Sequence, residues 1–247
     1  ALSGAEDVAY GEIIEIMVEG GQKRRGKVVL VDEDKVIAQV FQGTQGISTI
    51  NSSVRFTGKP LEIPLSKDIL GRTFNGMGLP IDGGPPVYSR NKYNVNGRPM
   101  NPVSRRYPRN YLETGISAID SLMTLIRGQK LPIFSGNGLP HNELAAQIVR
   151  QARIKGEEDN FAIVFAAMGV KHDDADFFRK SFESSGVLEK VVMYINIADE
   201  PVVERITTPR CALTAAEYLA YEEGMHILVI MTDMTSYGEA LREISSA

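Results

Sequence analysis

Cysteine is nearly missing from this sequence, since Cys211 is the single one among 247 residues. An internal disulfide is therefore excluded, and this usage fits a reducing compartment. No uninterrupted apolar run approaches the ~18–20 residues that a membrane-spanning helix needs. The first residues lack the basic flank and apolar stretch of a signal peptide. These absences argue against a disulfide-stapled scaffold and against a membrane-spanning helix within this sequence.

A dominant charge of one sign is missing as well. The formal net charge of -4 gives no electrostatic footprint for nucleic acid, and we expect no basic, aromatic-bearing face. The histidines, His141, His172 and His226, have no Cys or carboxylate spacing typical of a metal site, so we predict no metal ligands. The chain starts at Ala1 without Met and stops at Ala247 inside a predicted helix, and we therefore expect a fragment of a longer protein.

The first 64 residues predict a small N-terminal β-barrel. Apolar strands are predicted over 12–18, 27–31 and 36–41, with turn residues between them. The basic run at 23–25 is interpreted as a solvated turn. Residues 65–247 form the second predicted domain, which opens with a connector rich in Gly, Pro and Asn.

Beyond residue 111 the chain alternates apolar strands with helices. The predicted strands are 131–135, 161–167, 191–197 and 227–231, and the predicted helices are 117–127, 140–156, 174–184 and 213–223. Near-continuous apolar strands separated by helices indicate a parallel sheet covered on both faces. The predicted fold class of this domain is therefore α/β.

One stretch of this domain has the layout of a phosphate-binding P-loop, in which an apolar strand runs into a Gly-containing loop and then a helix. On the pattern G-x-x-x-x-G-K-[ST], Ser135 takes the place of the first Gly and Pro140 that of the second. His141 replaces the Lys, and Asn142 replaces the Ser or Thr. The candidate nucleotide-binding residues of this degenerate P-loop are Ser135, Gly136, Asn137, Gly138, Leu139, Pro140, His141 and Asn142.

Each replacement weakens phosphate binding. His141 is mostly neutral near pH 7, and losing the charged Lys should cost roughly 1.5–3 kcal/mol. Pro140 has no N–H to donate to a phosphate, and Asn142 offers an amide where Mg²⁺ would take a hydroxyl. The free N–H groups at the helix start still favour an anion. We therefore predict weak nucleotide binding, if any.

Two further positions concern NTPase chemistry. Asp233 follows the apolar strand at 227–231, which is the form of the Walker B element that supports Mg²⁺ in P-loop NTPases. An Asp after a buried strand also commonly caps the next helix, which is the alternative interpretation. Val170 stands where such a fold places a water-polarising residue, and its side chain cannot accept a proton. We therefore predict no catalytic residue in this chain.

Several segments resemble the B subunit of V-type and archaeal-type rotary ATPases, and the resemblance covers essentially the whole chain. The Gly-Leu-Pro-His-Asn-Glu segment at 138–143 is very specific to that protein. The other matching segments are 41–47, 70–82, 114–120, 127–130 and 232–237. The resemblance implies an N-terminal β-barrel, a RecA-like central domain and a C-terminal helical bundle.

The resemblance also implies a function. B subunits alternate with catalytic A subunits in an A3B3 ring that couples ATP hydrolysis or synthesis to proton or sodium transport. They are non-catalytic and regulatory, and they also meet central and peripheral stalk subunits. The resemblance implies a place on the cytoplasmic face of a membrane, with membrane association only through the complex. No cofactor is required, although the degenerate pocket at the A–B interface leaves weak ATP or ADP binding open.

This sequence departs from the family by what it does not contain. The start of the first barrel strand and the C-terminal helical bundle lie outside it, and so does the Arg that B subunits point into the neighbouring catalytic site. Arg242 is not assigned that role. Two alternatives to the B-subunit interpretation are an active P-loop NTPase with a divergent phosphate loop and a nucleic-acid translocase on the same core. The first lacks a cation at position 141 and an acid at 170, and the net charge disfavours the second.

Overall fold

The computed structural model describes residues 2–3, 7–18, 20–32, 35–48, 50–107, 109–156 and 160–245. The strands are β1 (Leu2–Ser3), β2 (Ile13–Met17), β3 (Lys23–Asp32), β4 (Lys35–Val40), β5 (Ser53–Phe56), β6 (Glu62–Pro64), β7 (Thr73–Asn75), β8 (Lys92–Asn94), β9 (Phe161–Val170), β10 (Val191–Ile197) and β11 (His226–Thr232). The α-helices are α1 (His141–Gln151), α2 (His172–Ser184), α3 (Val202–Tyr221) and α4 (Met234–Ser245).

The N-terminal region is a five-stranded antiparallel sheet in the order β1-β4-β3-β2-β5. Alternate side chains point inward, so that Ile14, Ile16 and Val28 are buried in one apolar cluster. The basic run at 23–25 is not a turn, because it opens β3 and pairs with the end of β2. The sequence pattern missed this extension because the charged side chains at the start of β3 carry no apolar signal.

The α/β region is built on a separate parallel sheet in the order β11-β9-β10-β7. Strand β9 is buried almost throughout, as expected of a central strand covered on both faces. One face packs Val164 and Tyr194 against α3, whose Leu219 is fully buried. The opposite face packs Phe165 against Phe178 and other apolar groups of α1 and α2. The predicted parallel sheet with two helical layers is therefore confirmed.

The connector between the two regions is structured rather than loose. Its strand β7 joins the edge of the parallel sheet, where Phe74 pairs with Tyr194 and the two rings stack at 5.3 Å between centroids. Arg72 donates from its guanidinium to both carboxylate oxygens of Asp82, which ties the two ends of a turn together. This ion pair holds the pKa of the Asp82 carboxyl far below its usual range, chiefly through the hydrogen bond from Arg72.

Several of the predicted elements differ in the structure. Residues 131–135 do not form a strand, and Phe134 in this segment is 93% exposed. Apolar spacing marks a segment that can be buried, but a strand must also pair with a neighbour, and residues 131–135 pair with none. Among the described residues, the outer edge of β11 has no partner strand. The predicted helix at 117–127 is a short turn with a π-helical part, Ile119–Met123, which ends at Thr124 with φ of 25°. Helix α1 stops at Gln151 rather than continuing towards 156.

Helix α3 is longer than its predicted form because it continues through Pro209. Proline removes one helical donor, and sequence rules therefore place a boundary there. In the structure, the hydroxyls of Thr207 and Thr208 donate to the carbonyls of Val203 and Glu204, at 2.8 and 2.9 Å. These side-chain bonds add to the bonds of the helix backbone on the N-terminal side of Pro209, and they do not replace the one to the Arg205 carbonyl that Pro209 cannot make. Among the described residues, no helix is both long and apolar enough to cross a bilayer.

Candidate functional site

The loop at the P-loop position is exposed in the structure. Residues 135–141 all lie at the surface, and Gly138 adopts φ of +81° with open space around it. The Leu139 N–H donates to the Gly136 carbonyl at 3.3 Å, which closes a tight turn before α1. Pro140 stands at the N-cap of α1 without a side-chain cap, and the first helical N–H, that of His141, donates to the Leu139 carbonyl at 2.8 Å. The anion site expected at this helix start is therefore partly occupied by the loop itself.

At the start of α1, the side chain of Asn142 is hydrogen-bonded to an acid. Asn142 donates from Nδ2 to Asp174 Oδ1 at 3.0 Å, and Asp174 lies in the first turn of α2. The amide predicted to take the place of the Mg²⁺-binding hydroxyl therefore joins the starts of α1 and α2. Sequence spacing alone did not predict this contact, because the two residues are 32 positions apart.

A cavity of about 440 Å³ opens at this helix start, and its charges disfavour phosphate. Three carboxylates, those of Glu143, Asp173 and Asp174, line it, and the lining residues include no Lys or Arg. These negative charges repel a phosphate more strongly the closer it lies. The helix dipole attracts it with the equivalent of only about half a positive charge. The rest of the lining is Gly138, Leu139, Pro140, His141, Asn142 and Phe177.

Asp233 acts as a helix cap. Its Oδ1 accepts hydrogen bonds from the N–H groups of Thr235 and Ser236, at 3.0 and 3.4 Å, and its Oδ2 accepts from the Ser236 hydroxyl at 3.0 Å. These contacts satisfy free donors at the start of α4. Asp233 is not among the residues that line the cavity at α1. Within the described part of the chain, no cluster of three metal-ligating side chains occurs.

Val170 ends β9 and is buried in the apolar cluster beneath α1 and α2. Its carbonyl accepts a hydrogen bond from Ala198 N–H at 2.9 Å, which holds the carboxyl ends of β9 and β10 together. The side chain therefore contributes packing and offers no group that could position a water molecule.

A polar cluster at the carboxyl end of β10 escaped the sequence analysis. The Oδ1 of the fully buried Asn196 accepts hydrogen bonds from Gly169 N–H at 3.2 Å and from Arg205 Nε at 3.0 Å. Its Nδ2 donates to Glu200 Oε2 at 3.0 Å, and Arg205 also donates to the Ala198 carbonyl at 2.9 Å. The available signal was that Asn196 lies at the end of an apolar strand and that Glu200 and Arg205 follow it. Functional groups of parallel sheets commonly lie at the carboxyl ends of the strands.

Gly169 lets this cluster form. Its φ is +65°, and a Cβ at this position would lie 2.6 Å from Arg205 Nε and 3.0 Å from Ser236 Cβ. The guanidinium of Arg205 and the start of α4 therefore approach the backbone of β9 only because the residue there has no side chain.

Glu204 is a buried acid beside this cluster. Its side chain is packed between Gly76 and Thr208, and Oε1 makes no hydrogen bond within the described chain. Burial raises the pKa of Glu204 to about 7, with a further increase from the charge of Glu200 and an opposing effect of the Gly76 N–H. The carboxyl is thus substantially protonated near neutral pH, which lowers the cost of burying it.

Comparisons with known proteins agree with this architecture. The model of the ATP synthase alpha/beta family, beta-barrel domain, matches residues 2–58, and that of the nucleotide-binding domain of the same family matches residues 115–247. The predicted order of a small β-barrel followed by a RecA-like α/β domain is thereby confirmed. The division at residue 64 remains a prediction.

Individual proteins similar to the chain carry related names. It is 65% identical over 248 residues to a V-type ATP synthase beta chain 2 of Clostridium tetani and 63% identical over 245 residues to a V-type ATP synthase beta chain of Halothermothrix orenii. It is 58% identical over 246 residues to the B subunit of an A-type ATP synthase of Aeropyrum pernix. These alignments cover 99–100% of the chain but only 53–54% of each relative, so the chain spans about half the length of these proteins.

A five-stranded antiparallel sheet, a parallel α/β sheet and two family matches that together cover most of the sequence lead to one assignment. The chain belongs to the ATP synthase alpha/beta family.

Proposed function

We propose that the chain is part of the non-catalytic B subunit of a V-type or A-type rotary ATPase. In this role it alternates with catalytic A subunits in an A3B3 ring that couples ATP hydrolysis or synthesis to proton or sodium transport, and it meets the stalk subunits of the complex. The observation that carries the proposal is 58–65% identity over the whole chain to relatives named as beta chains or B subunits of such enzymes.

The geometry at α1 supports a non-catalytic role. A cavity lined by Glu143, Asp173 and Asp174 without a cation is unsuited to the β- and γ-phosphates of a nucleotide. Val170 is buried and chemically inert. We therefore infer that no cofactor is required, that ATP or ADP binds weakly if at all, and that Ser135–Asn142 and Asp233 keep only the outline of a nucleotide site.

The proposal also assigns a location. The chain acts at the cytoplasmic face of a membrane as part of the peripheral sector, and it reaches the membrane only through its partners. Nucleic acid has no role in this function.

Two measurements test the proposal. Mixing the chain with a catalytic A subunit should give a defined hetero-oligomer in size-exclusion chromatography with light scattering. The chain alone should release no phosphate from Mg-ATP above the background of a blank, with the assembled ring as the positive control. Sustained phosphate release by the pure chain, at a rate typical of P-loop enzymes, would support the alternative of an active NTPase with a divergent phosphate loop.

A further inference from the structure

The charge of this protein is unevenly distributed along the chain. Residues 83–112 contain six basic residues and no acidic one, so all 31 acidic residues lie outside this segment. The net charge of -4 conceals this concentration, and our expectation that no basic, aromatic-bearing face exists was wrong for this segment.

Within this segment, an exposed stretch lies between two buried residues. Val95 and Leu112 are 6% and 4% exposed, whereas residues 99–107, 109 and 110 are all exposed. We call these exposed residues the arginine loop. Just before it, Arg98 lies over the Tyr93 ring at 5.7 Å and within 3.6 Å of Glu222, which caps the C-terminal end of α3.

The arginine loop presents groups that the described chain leaves without contacts. Tyr107 is 95% exposed and Val103 is 90% exposed. Within the described residues, Arg105, Arg106 and Arg109 take part in no hydrogen bond or ion pair with a side chain. Scattered apolar residues are normal at a surface, but a large ring and a valine beside three arginines form a patch with a specific chemistry.

Hydrogen bonds order the first part of the loop. Asn101 Oδ1 accepts a hydrogen bond from Val103 N–H at 3.0 Å, and the Arg105 N–H donates to the Pro102 carbonyl at 3.1 Å. These bonds form a 3-10 turn, Pro102–Ser104, directly ahead of Arg105 and Arg106. A loop that is ordered before binding loses less conformational entropy when it docks.

The composition of the loop favours a protein partner over nucleic acid. Tyr and Arg are enriched among the residues that carry binding energy at protein interfaces, whereas Lys is depleted there, and the loop has three Arg and no Lys. A phosphate backbone offers no apolar surface that the exposed Val103 could pack against. A stripe of cations along a groove is typical of nucleic-acid binding, and this patch is one short turn instead.

We infer that the arginine loop docks onto an acidic face of the neighbouring subunit, with Val103 and Tyr107 in an apolar depression and the three arginines paired with carboxylates around it. The inference rests on the proposed function, because that function supplies the neighbouring subunit. It adds which segment of this chain makes the contact and which chemistry the partner must present.

The test compares two charge reversals of equal size. The loop variant carries Arg105→Glu, Arg106→Glu and Arg109→Glu. The control variant carries Lys130→Glu, Lys155→Glu and Lys180→Glu, which change three exposed lysines elsewhere. Circular dichroism melting curves first establish that both variants fold, and biolayer interferometry then measures the affinity of each for a catalytic A subunit.

We expect the loop variant to bind the A subunit at least about 100-fold more weakly than the unchanged chain, since like charges placed opposite each other are strongly unfavourable. The control variant should stay within about threefold. Tyr107→Ala alone should weaken binding about tenfold or more, because it removes the apolar part of the contact. Binding by the unchanged chain should weaken as salt is raised.

The outcomes separate the two proposals. Failure of the unchanged chain to bind the A subunit overturns the proposed function and this inference with it. Equal binding by the unchanged chain and the loop variant overturns this inference alone. Binding of an oligo(dT) of about 20 nucleotides that is lost in the loop variant, with A-subunit binding unaltered, would show a nucleic-acid face instead and would also overturn it.

Discussion

The loop before α1 and the polar cluster before α3 are held in opposite ways. The loop carries the most recognisable motif of the chain, yet residues 135–141 are exposed, and the ordered side-chain contact follows only at Asn142. The cluster carries no short motif, yet the fully buried Asn196 joins β9, β10 and α3 through three hydrogen bonds. A sequence motif identifies a chemical pattern. The stability of a region depends instead on how many buried polar groups share hydrogen-bond partners there.

The largest expected effect comes from removing the centre of the cluster. Asn196→Ala should lower the free energy of unfolding by about 3 kcal/mol, because it leaves the Gly169 N–H and the Arg205 Nε–H without their acceptor. Asn137→Ala is the matched control in the exposed loop and should change stability by less than about 0.5 kcal/mol. Urea unfolding monitored by circular dichroism gives both values. Equal losses in the two variants would contradict the comparison.

A second prediction concerns the pH dependence that Glu204 contributes. Because its pKa is raised in the folded protein to about 7, the folded state binds more protons than the unfolded state between its ordinary value of 4.5 and about 7. Stability should therefore fall as pH rises through this window, by at most about 3 kcal/mol.

Glu204→Gln should remove this slope and raise the free energy of unfolding at pH 8 by about 2 kcal/mol, since the amide needs no buried charge. Glu183→Gln, at an exposed position of α2, is the control and should leave the profile unchanged. The measurement is urea unfolding at a series of pH values from about 5 to about 8. A Glu204→Gln profile parallel to that of the unchanged chain would show that the carboxyl is charged in the folded protein.

A smaller effect is expected at Asp233. Asp233→Ala should cost about 1 kcal/mol through loss of the helix cap, and Asp233→Asn should cost less because the amide oxygen can still accept from the same N–H groups. Thermal melting separates the two variants. Isothermal titration with Mg-ADP should give the same weak or absent binding for both and for the unchanged chain. A selective loss of nucleotide binding in the Asn variant would instead indicate a metal role.

The smallest effect is expected from rebuilding the loop alone. Pro140→Gly, His141→Lys and Asn142→Thr together restore a donor, a cation and a hydroxyl, and they should raise Mg-ADP affinity by less than about tenfold, because Asp173 and Asp174 remain in the cavity. Adding Asp173→Asn and Asp174→Asn should increase the gain further. Calorimetric titration measures both, and phosphate release should stay at background. If the five changes leave affinity at the level of the unchanged chain, the phosphate-loop interpretation is wrong.

The sequence predicted three strands of the parallel sheet but not the edge strand β7. Continuous apolar runs identified β9, β10 and β11, of which β9 and β10 are buried almost throughout and β11 is partly buried at an edge. The short strand β7 was missed, since Gly71, Gly76 and Gly78 around it are typical of turns. Its pairing with β10 depends on a partner more than 100 residues away, which the local pattern does not report.

The candidate site was predicted only in outline. Apolar spacing located the helix start at α1 and the acid after β11, but not what each side chain would touch. The bond from Asn142 to Asp174 and the carboxylates around the cavity depend on how α1 and α2 are placed together. The Asn196 cluster likewise needs the close approach at Gly169, which follows from the three-dimensional fold and not from spacing.

Strand β7 has one more consequence, which concerns aggregation. Met193 N–H donates to the Arg72 carbonyl at 3.0 Å, so the connector occupies hydrogen-bonding groups of β10 that would otherwise face solvent. Strand β10 is almost wholly apolar and buried, and an unprotected edge of that kind is a template for pairing with another molecule. A truncated version beginning at residue 115, where the nucleotide-binding family match starts, would lack this guard. We expect such a version to scatter light and form intermolecular β-structure on storage faster than one that begins ahead of Arg72, because it exposes the edge of β10 in addition to that of β11.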